Sequence, residues 1–184
     1  MTQFTVPGMT DKEGAKVAEI LQKQLSRYND LHLTLKHVHW NVVGPNFIGV
    51  HEMIDPQVEL VRGYADEVAE RIATLGASPK GTPGAIISDR SWDDYSLERD
   101  TVAAHLAALD LVYDGVIADT RKNIEETEEP DPVTNDMLIG HSAELEKFQW
   151  FVRAHLESAG GTLTHEGKST EKGAADSARS NGTK

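Results

Sequence analysis

Five side chains of metal-binding type are spaced so that they could hold cations: His39, His51, Asp55, Asp66 and Glu70. The chain contains no cysteine, so thiolate sites are excluded, and a His, Asp and Glu donor set suits iron or manganese better than structural zinc. His51, Asp55, Asp66 and Glu70 fall within one helical pattern, where they span an arc of roughly 100°. That arc begins at the border of the apolar stripe, so the ligands do not point down a bundle axis. Along the helix, His51 and Asp55 are about 6 Å apart, and so are Asp66 and Glu70, but roughly 16 Å separates the two pairs. One centre cannot bridge that gap. His39 and His51 flank the same turn and therefore lie at one end of a helical hairpin. The chain thus carries two half-sites. A symmetric dimer with antiparallel second helices would bring the His pair of one subunit to the Asp66/Glu70 pair of the other, twice over.

A plainer reading competes with this one. Arg62 with Asp66, and Glu67 with Arg71, have the i,i+4 spacing of surface ion pairs. Against it, Asp66 and Glu70 are like charges at i,i+4, which costs a few tenths of a kcal/mol unless a cation lies between them. The spacing alone leaves both readings open. His32, His37, His105, His141, His155 and His165 are read as ordinary core or surface histidines.

The elements that must position these residues are helical. Thr10-Asp11-Lys12-Glu13 has capping-box spacing and opens a first helix that Gly44-Pro45 stops. Its apolar stripe runs Val17, Ile20, Leu21, Tyr28, Leu31, Leu35, Val38 at steps of three and four. A second helix is predicted from about 46 to 76, with Ile54, Val58, Val61, Ala65, Val68, Ile72 and Leu75 inward and Pro56 as a potential kink. Residues 76–91 read as a crossover loop, with a short helical turn from Trp92 to Tyr95. A third helix spans about 97–128. Pro130-Asp131-Pro132 breaks the chain before a fourth helix that runs to about 158. Two short connections flank one long one. The expected fold is therefore all-α: a ferritin-like four-helix bundle, with a long crossover between helices 2 and 3 carrying a short helical turn. The expected organisation is an N-terminal tail (1–10), the bundle (11–160) and a flexible polar C-terminal tail (161–184). A plain bundle without a metal remains an alternative at this level.

Composition limits the function classes. The net charge is −12, which attracts cations and repels nucleic-acid phosphates. No run approaches the roughly 18 apolar residues of a membrane helix. The N-terminus lacks signal-peptide character, so no membrane partner is expected and the expected location is cytoplasmic. An intra-bundle di-iron centre would use Glu-x-x-His motifs, and the sequence contains none.

The quoted residues carry a family resemblance. His39-Trp40-Asn41-Val42-Val43-Gly44 followed by Val50-His51-Glu52-Met53-Ile54-Asp55 resembles one signature of the Dps mini-ferritins. Ala65-Asp66-Glu67-Val68-Ala69-Glu70-Arg71, continuing to Leu75-Gly76 and Pro79, resembles a second. With Lys147 to Phe151 the similarity covers roughly residues 10 to 160. The resemblance implies a homododecamer built from two-fold dimers. It implies ferroxidase centres of His39, His51 and Asp55 with the partner's Asp66 and Glu70, Trp40 nearby, hydrogen peroxide preferred over oxygen as oxidant, Fe(II) as substrate and Fe(III) as stored product. It also implies acid-lined three-fold pores, placed at Asp131 and Asp136 within the acidic run Glu125, Glu126, Glu128, Glu129. Glu52 and Glu59 are candidate mineral-nucleating carboxylates, or simply part of a solvated acidic face. DNA binding and nucleoid association, if the family's role extends here, fall to the tail cations Lys168, Lys172, Arg179 and Lys184, diluted by Glu166, Glu171 and Asp176. Two further readings stay open: a nucleoid-compacting protein without enzymatic activity, and a larger ferritin-type cage.

Overall fold

The computed structural model describes residues 5–90 and 92–181. Among them, four long helices dominate: α1 (Asp11–Asn41), α2 (Phe47–Thr74), α4 (Val102–Thr127) and α5 (Pro132–Ala154), with two short ones, α3 (Pro83–Asp89) and α6 (Glu171–Asn181). The predicted capping box closes: the Thr10 amide donates to Glu13 Oε2 at 2.9 Å and the Glu13 amide donates to Thr10 Oγ1 at 3.3 Å. Every predicted stripe residue of the first and second helices is buried. Pro56 does not interrupt α2. Gly76, at φ 85°, ends that helix by letting the Ala77 amide reach back to the Ile72 carbonyl at 3.1 Å. That six-to-one bond, with a left-handed glycine beside it, is the Schellman closure.

Three elements differ from expectation. The crossover helix lies at Pro83–Asp89, not at 92–95, because Thr82-Pro83 supplies an N-cap position with proline at N1. Two-residue strands β1 (Val42–Val43) and β2 (Asp100–Thr101) pair in parallel, Val42 with Asp100 and Val43 with Thr101. The third helix starts later than 97, since Leu97 to Thr101 lead into and form β2.

The chain separates into two compact units. The first comprises Met1–His32, Glu59–Trp92 and Ala118–Ala143. Its core includes Val17, Leu21, Tyr28, Leu31, Val61, Val68, Ile72 and Leu138. A buried polar chain ties α1 to α4: Gln24 Nε2 donates to Thr120 Oγ1 at 2.9 Å, and Asn123 Nδ2 donates to Gln24 Oε1 at 2.7 Å. The second comprises Leu33–Val58, Asp93–Ile117 and Glu144–Lys184, with Leu35, Val38, Ile54, Leu106, Leu109, Tyr113, Leu145 and Val152 fully buried.

The segment after Gly161 also departs from expectation: the flexible tail is instead ordered through residue 181. Thr170 caps α6, and the Gly173 amide donates to its Oγ1 at 3.2 Å. Ala174, Ala175 and Ala178 are buried, and Ala175 joins a cluster with Leu97, Ala104 and Ala108. Small side chains allow this close seating, and their low hydrophobicity is why the segment reads as polar. Upstream, His165 Nε2 bonds the buried Asp110 carboxylate at 2.9 Å.

Candidate functional site

In the second unit, His39 from the end of α1 and His51 from the first turn of α2 stack with ring centroids 3.6 Å apart. Gly44 at φ 97° and Asn46 at φ 65° make the turn that returns the chain for this contact. Each ring is held by the other residue's backbone: His39 Nδ1 to the His51 carbonyl and His51 Nδ1 to the His39 carbonyl, both at 2.9 Å. A carbonyl only accepts, so each Nδ1 must carry the proton and each Nε2 is left with a lone pair. This is the outer-shell arrangement that orients metal-binding histidines. Asp55 lies beside the pair, with Oδ1 3.2 Å from His39 Nδ1 and 2.7 Å from Lys36 Nζ. The Lys36 bond, aided by the nearby histidines, holds the Asp55 carboxyl below its ordinary range. The rim is apolar and open: Leu33, Phe47 and Ile48 are exposed, and Trp40 is 70% exposed. Exposed apolar side chains that gather into a patch commonly mark interaction surfaces.

In the first unit, Asp66 and Glu70 stand exposed on α2. Neither of the plain i,i+4 pairings forms. Arg62 turns to Glu59 at 3.1 Å, Arg71 forks onto Asp131, and Glu67 takes His141 Nε2 at 3.0 Å. Among the described residues neither Asp66 nor Glu70 enters an ion pair. Asp66 borders an open depression of about 340 Å³ that Leu25, His32, Arg62 and Pro79 also line. Among the described residues, no three His, Asp or Glu side chains of one chain gather into a group able to hold a metal.

The remaining expected sites divide. Asp136 and the glutamates Glu125, Glu126, Glu128 and Glu129 are exposed. Asp131 is not a free pore acid: it is 2% exposed, with its oxygens 2.9 and 2.8 Å from Arg71 Nη2 and a further bond to Thr134 Oγ1. Burial opposes its ionisation, but the Thr134 and Arg71 hydrogen bonds outweigh that and hold its carboxyl below the usual range. It is the N-cap of α5, with Pro132 behind it at the first helical position. The Asp-Pro pair was a readable helix start; the Arg71 partner, distant in sequence, was not. Glu52 and Glu59 are exposed, Glu59 beside Arg62. Lys168 and Lys172 are exposed, and Lys184 lies outside the described residues. Arg179 is committed within the chain, to Asp100 and Asp176.

The sequence matches the ferritin-like domain family over residues 18–160. It is 82% identical to the DNA protection during starvation protein of Mycolicibacterium smegmatis, over 97% of this chain and 98% of that one. The solved structure of Mycobacterium smegmatis Dps superposes with a TM-score of 0.92 at 82% identity, over 95% of this chain and 99% of that one. DpsA14 from Streptomyces coelicolor follows at 0.87 and 59% identity, covering 88% and 96%. The fold is ferritin-like, and the chain belongs to the Dps family within it. No helix among the described residues is long and apolar enough to cross a membrane.

Proposed function

We propose that two copies of this chain pair through the α1–α2 surface and complete two ferroxidase centres. Each would take His39, His51 and Asp55 from one subunit and Asp66 and Glu70 from the other. One observation carries the reading: a histidine pair locked with both Nε2 lone pairs free and an acid pair outside any ion pair, while no metal-holding group forms within one chain among the described residues. The apolar rim of Leu33, Trp40, Phe47 and Ile48 supports the same surface as the dimer contact.

The substrate is Fe(II). The histidines and carboxylates bind and neutralise ferrous ions brought close together. Each ion gives one electron to hydrogen peroxide, whose O–O bond breaks and takes up protons to leave water. Paired two-electron reduction avoids releasing a hydroxyl radical, which gives the chemistry its protective value. Peroxide is the preferred oxidant and oxygen the slower one. The ferric product is stored in a hollow homododecamer, with Glu52 and Glu59 as nucleating carboxylates and Asp136 at the acid-lined entry. The protein works in the cytoplasm, associated with the nucleoid. Its DNA contact falls to Lys168, Lys172 and the end of the chain, with Arg179 available only if its bonds to Asp100 and Asp176 open.

The test is ferrous oxidation followed optically with peroxide and with oxygen, on protein whose assembly state is measured in the same sample. Oxidation faster than in protein-free buffer, and faster with peroxide, is expected. Rates matching buffer in an assembled shell would refute it.

A further inference from the structure

The first unit holds a Tyr–His–Glu relay, buried at Tyr28 and His141 and exposed at Glu67, that the ferroxidase reading does not use. Tyr28 is fully buried on α1. Its hydroxyl lies 3.3 Å from His141 Nδ1, and His141 Nε2 lies 3.0 Å from Glu67 Oε2. An ionised Glu67 accepts only, so Nε2 carries the ring proton and Nδ1 presents a lone pair to the Tyr28 O–H. Tyr64 stacks on the His141 ring at 3.7 Å and lies 5.7 Å from Tyr28. The contrast is Tyr113, equally buried, whose hydroxyl donates to the Gln57 amide oxygen. An amide oxygen is no base at neutral pH, whereas an imidazole is.

That difference decides what each phenol can do. Removing an electron from a buried tyrosine leaves a strongly acidic phenol cation, so oxidation needs a base already in place. Burial also pushes both phenols above their ordinary range, which closes the route through a free phenolate. Tyr28 shares the presence of a base with Tyr95, whose hydroxyl lies 3.0 Å from His105 Nδ1, but only His141 is backed at Nε2 by a carboxylate: among the described residues His105 Nε2 has no partner, whereas Glu67 balances the charge that a protonated His141 would carry.

We propose that Tyr28 is a redox-active side chain that yields one electron to a strong one-electron oxidant while its phenolic proton passes to His141 Nδ1. The oxidant class is the hydroxyl radical, formed when a single ferrous ion reduces peroxide, and in that respect the inference rests on the ferroxidase reading. The electron converts hydroxyl radical to hydroxide. Tyr28 becomes a neutral phenoxyl radical, and His141 becomes an imidazolium paired with Glu67. Reduction by a further ferrous ion, which becomes ferric, returns the electron, and the proton travels back from His141. The relay thereby consumes the stray radical that unpaired iron chemistry produces. Tyr28 acts by electron transfer; His141 is the proton acceptor, and Glu67 is a positioning residue that fixes its tautomer.

The experiment uses the full-length assembled protein in two arms: ferrous iron followed by peroxide, and a photogenerated tris(bipyridine)ruthenium(III) oxidant without iron. Freeze-quench electron paramagnetic resonance reads the radical. An organic radical is expected in both arms, narrowed by incorporation of ring-deuterated tyrosine, lost in Tyr28→Phe and kept in Tyr113→Phe. His141→Asn keeps an acceptor oxygen near the Nδ1 position but no base, so it should cut the radical yield and remove its solvent-deuterium dependence. A radical persisting in Tyr28→Phe, on Tyr64, Tyr95 or Trp40, would overturn the assignment. An unchanged yield and isotope dependence in His141→Asn would overturn the proton route. No ferrous oxidation, together with a Tyr28 radical in the ruthenium arm, would sink the ferroxidase reading and leave this relay standing. Ferrous oxidation without a radical in either arm would do the reverse.

Discussion

The two proposed half-sites, His39 with His51 and Asp66 with Glu70, are held in opposite ways. His39 and His51 are fixed by reciprocal Nδ1-to-carbonyl bonds, stacked rings and a neighbouring carboxylate that Lys36 neutralises. Asp66 and Glu70 are exposed acids with no internal cation, although Arg62 and Arg71 stand four residues before Asp66 and one residue after Glu70. The histidine pair is organised within one chain, so a metal bound there would find its geometry already set. The acid pair enters no ion pair among the described residues, and a cation bound in the proposed centre would relieve its repulsion.

The largest effect that separates the halves is catalytic. Asp66→Asn/Glu70→Gln and His39→Ala/His51→Ala should each lower ferrous oxidation by more than the ~10–100-fold seen when only outer-shell partners of a metal ligand are lost. A smaller loss in stopped-flow assays of assembled protein would remove that half from the centre. Stability should then split them. The acid variant relieves like-charge repulsion and should gain a few tenths of a kcal/mol. The histidine variant strips donors from two backbone carbonyls and should cost about 1–3 kcal/mol for each one left buried and unpaired. Urea denaturation decides; equal changes would show that the histidines are not locked as described.

Asp131 sharpens the contrast, being an acid of structural kind. Asp131→Ala leaves Arg71 without its partner inside the first unit and should cost about 3–5 kcal/mol. The folded carboxyl is held below its ordinary value. Its contribution is therefore full above the unfolded pKa of about 3.9 and is lost as pH falls through the lower folded value. Asp131→Asn should flatten the acid limb of the stability curve, and an unchanged limb would show that the Arg71 pair contributes nothing. The smallest effect is at Arg179. It is a partly exposed ion pair, so Arg179→Ala should cost no more than about 1 kcal/mol. If this arginine reaches DNA only by leaving Asp100, Asp100→Asn should strengthen low-salt gel retardation. Retardation unaffected by Asp100→Asn would place the contact on Lys168, Lys172 or elsewhere.

The sequence was most legible where local physics acts alone. The stripes of α1 and α2, the Thr10–Glu13 box and the glycine stops need no distant partner. What escaped depends on residues far apart in the chain. Asp131 looked like a pore acid because Arg71 is 60 positions away. The helix α6 looked like a disordered tail because alanines provide its whole buried face, and alanine contributes little to an apolar pattern. Its signal was present in Thr170 as a cap and in Ala174, Ala175 and Ala178 at helical spacing. Lys36 beside Asp55 was equally invisible, since a lysine on a helix is ordinarily a solvated one.

Whether the halves meet across a subunit interface is tested most directly by mixing. A chain carrying His39→Ala/His51→Ala and a chain carrying Asp66→Ala/Glu70→Ala are each expected to be inactive alone. In a mixed two-fold dimer, one of the two centres has lost all its altered ligands to the other and keeps a complete native set. Co-assembled shells, verified by mass to contain both chains, should recover part of the native ferrous oxidation rate. Verified mixed shells that stay as inactive as either parent would contradict the intersubunit centre.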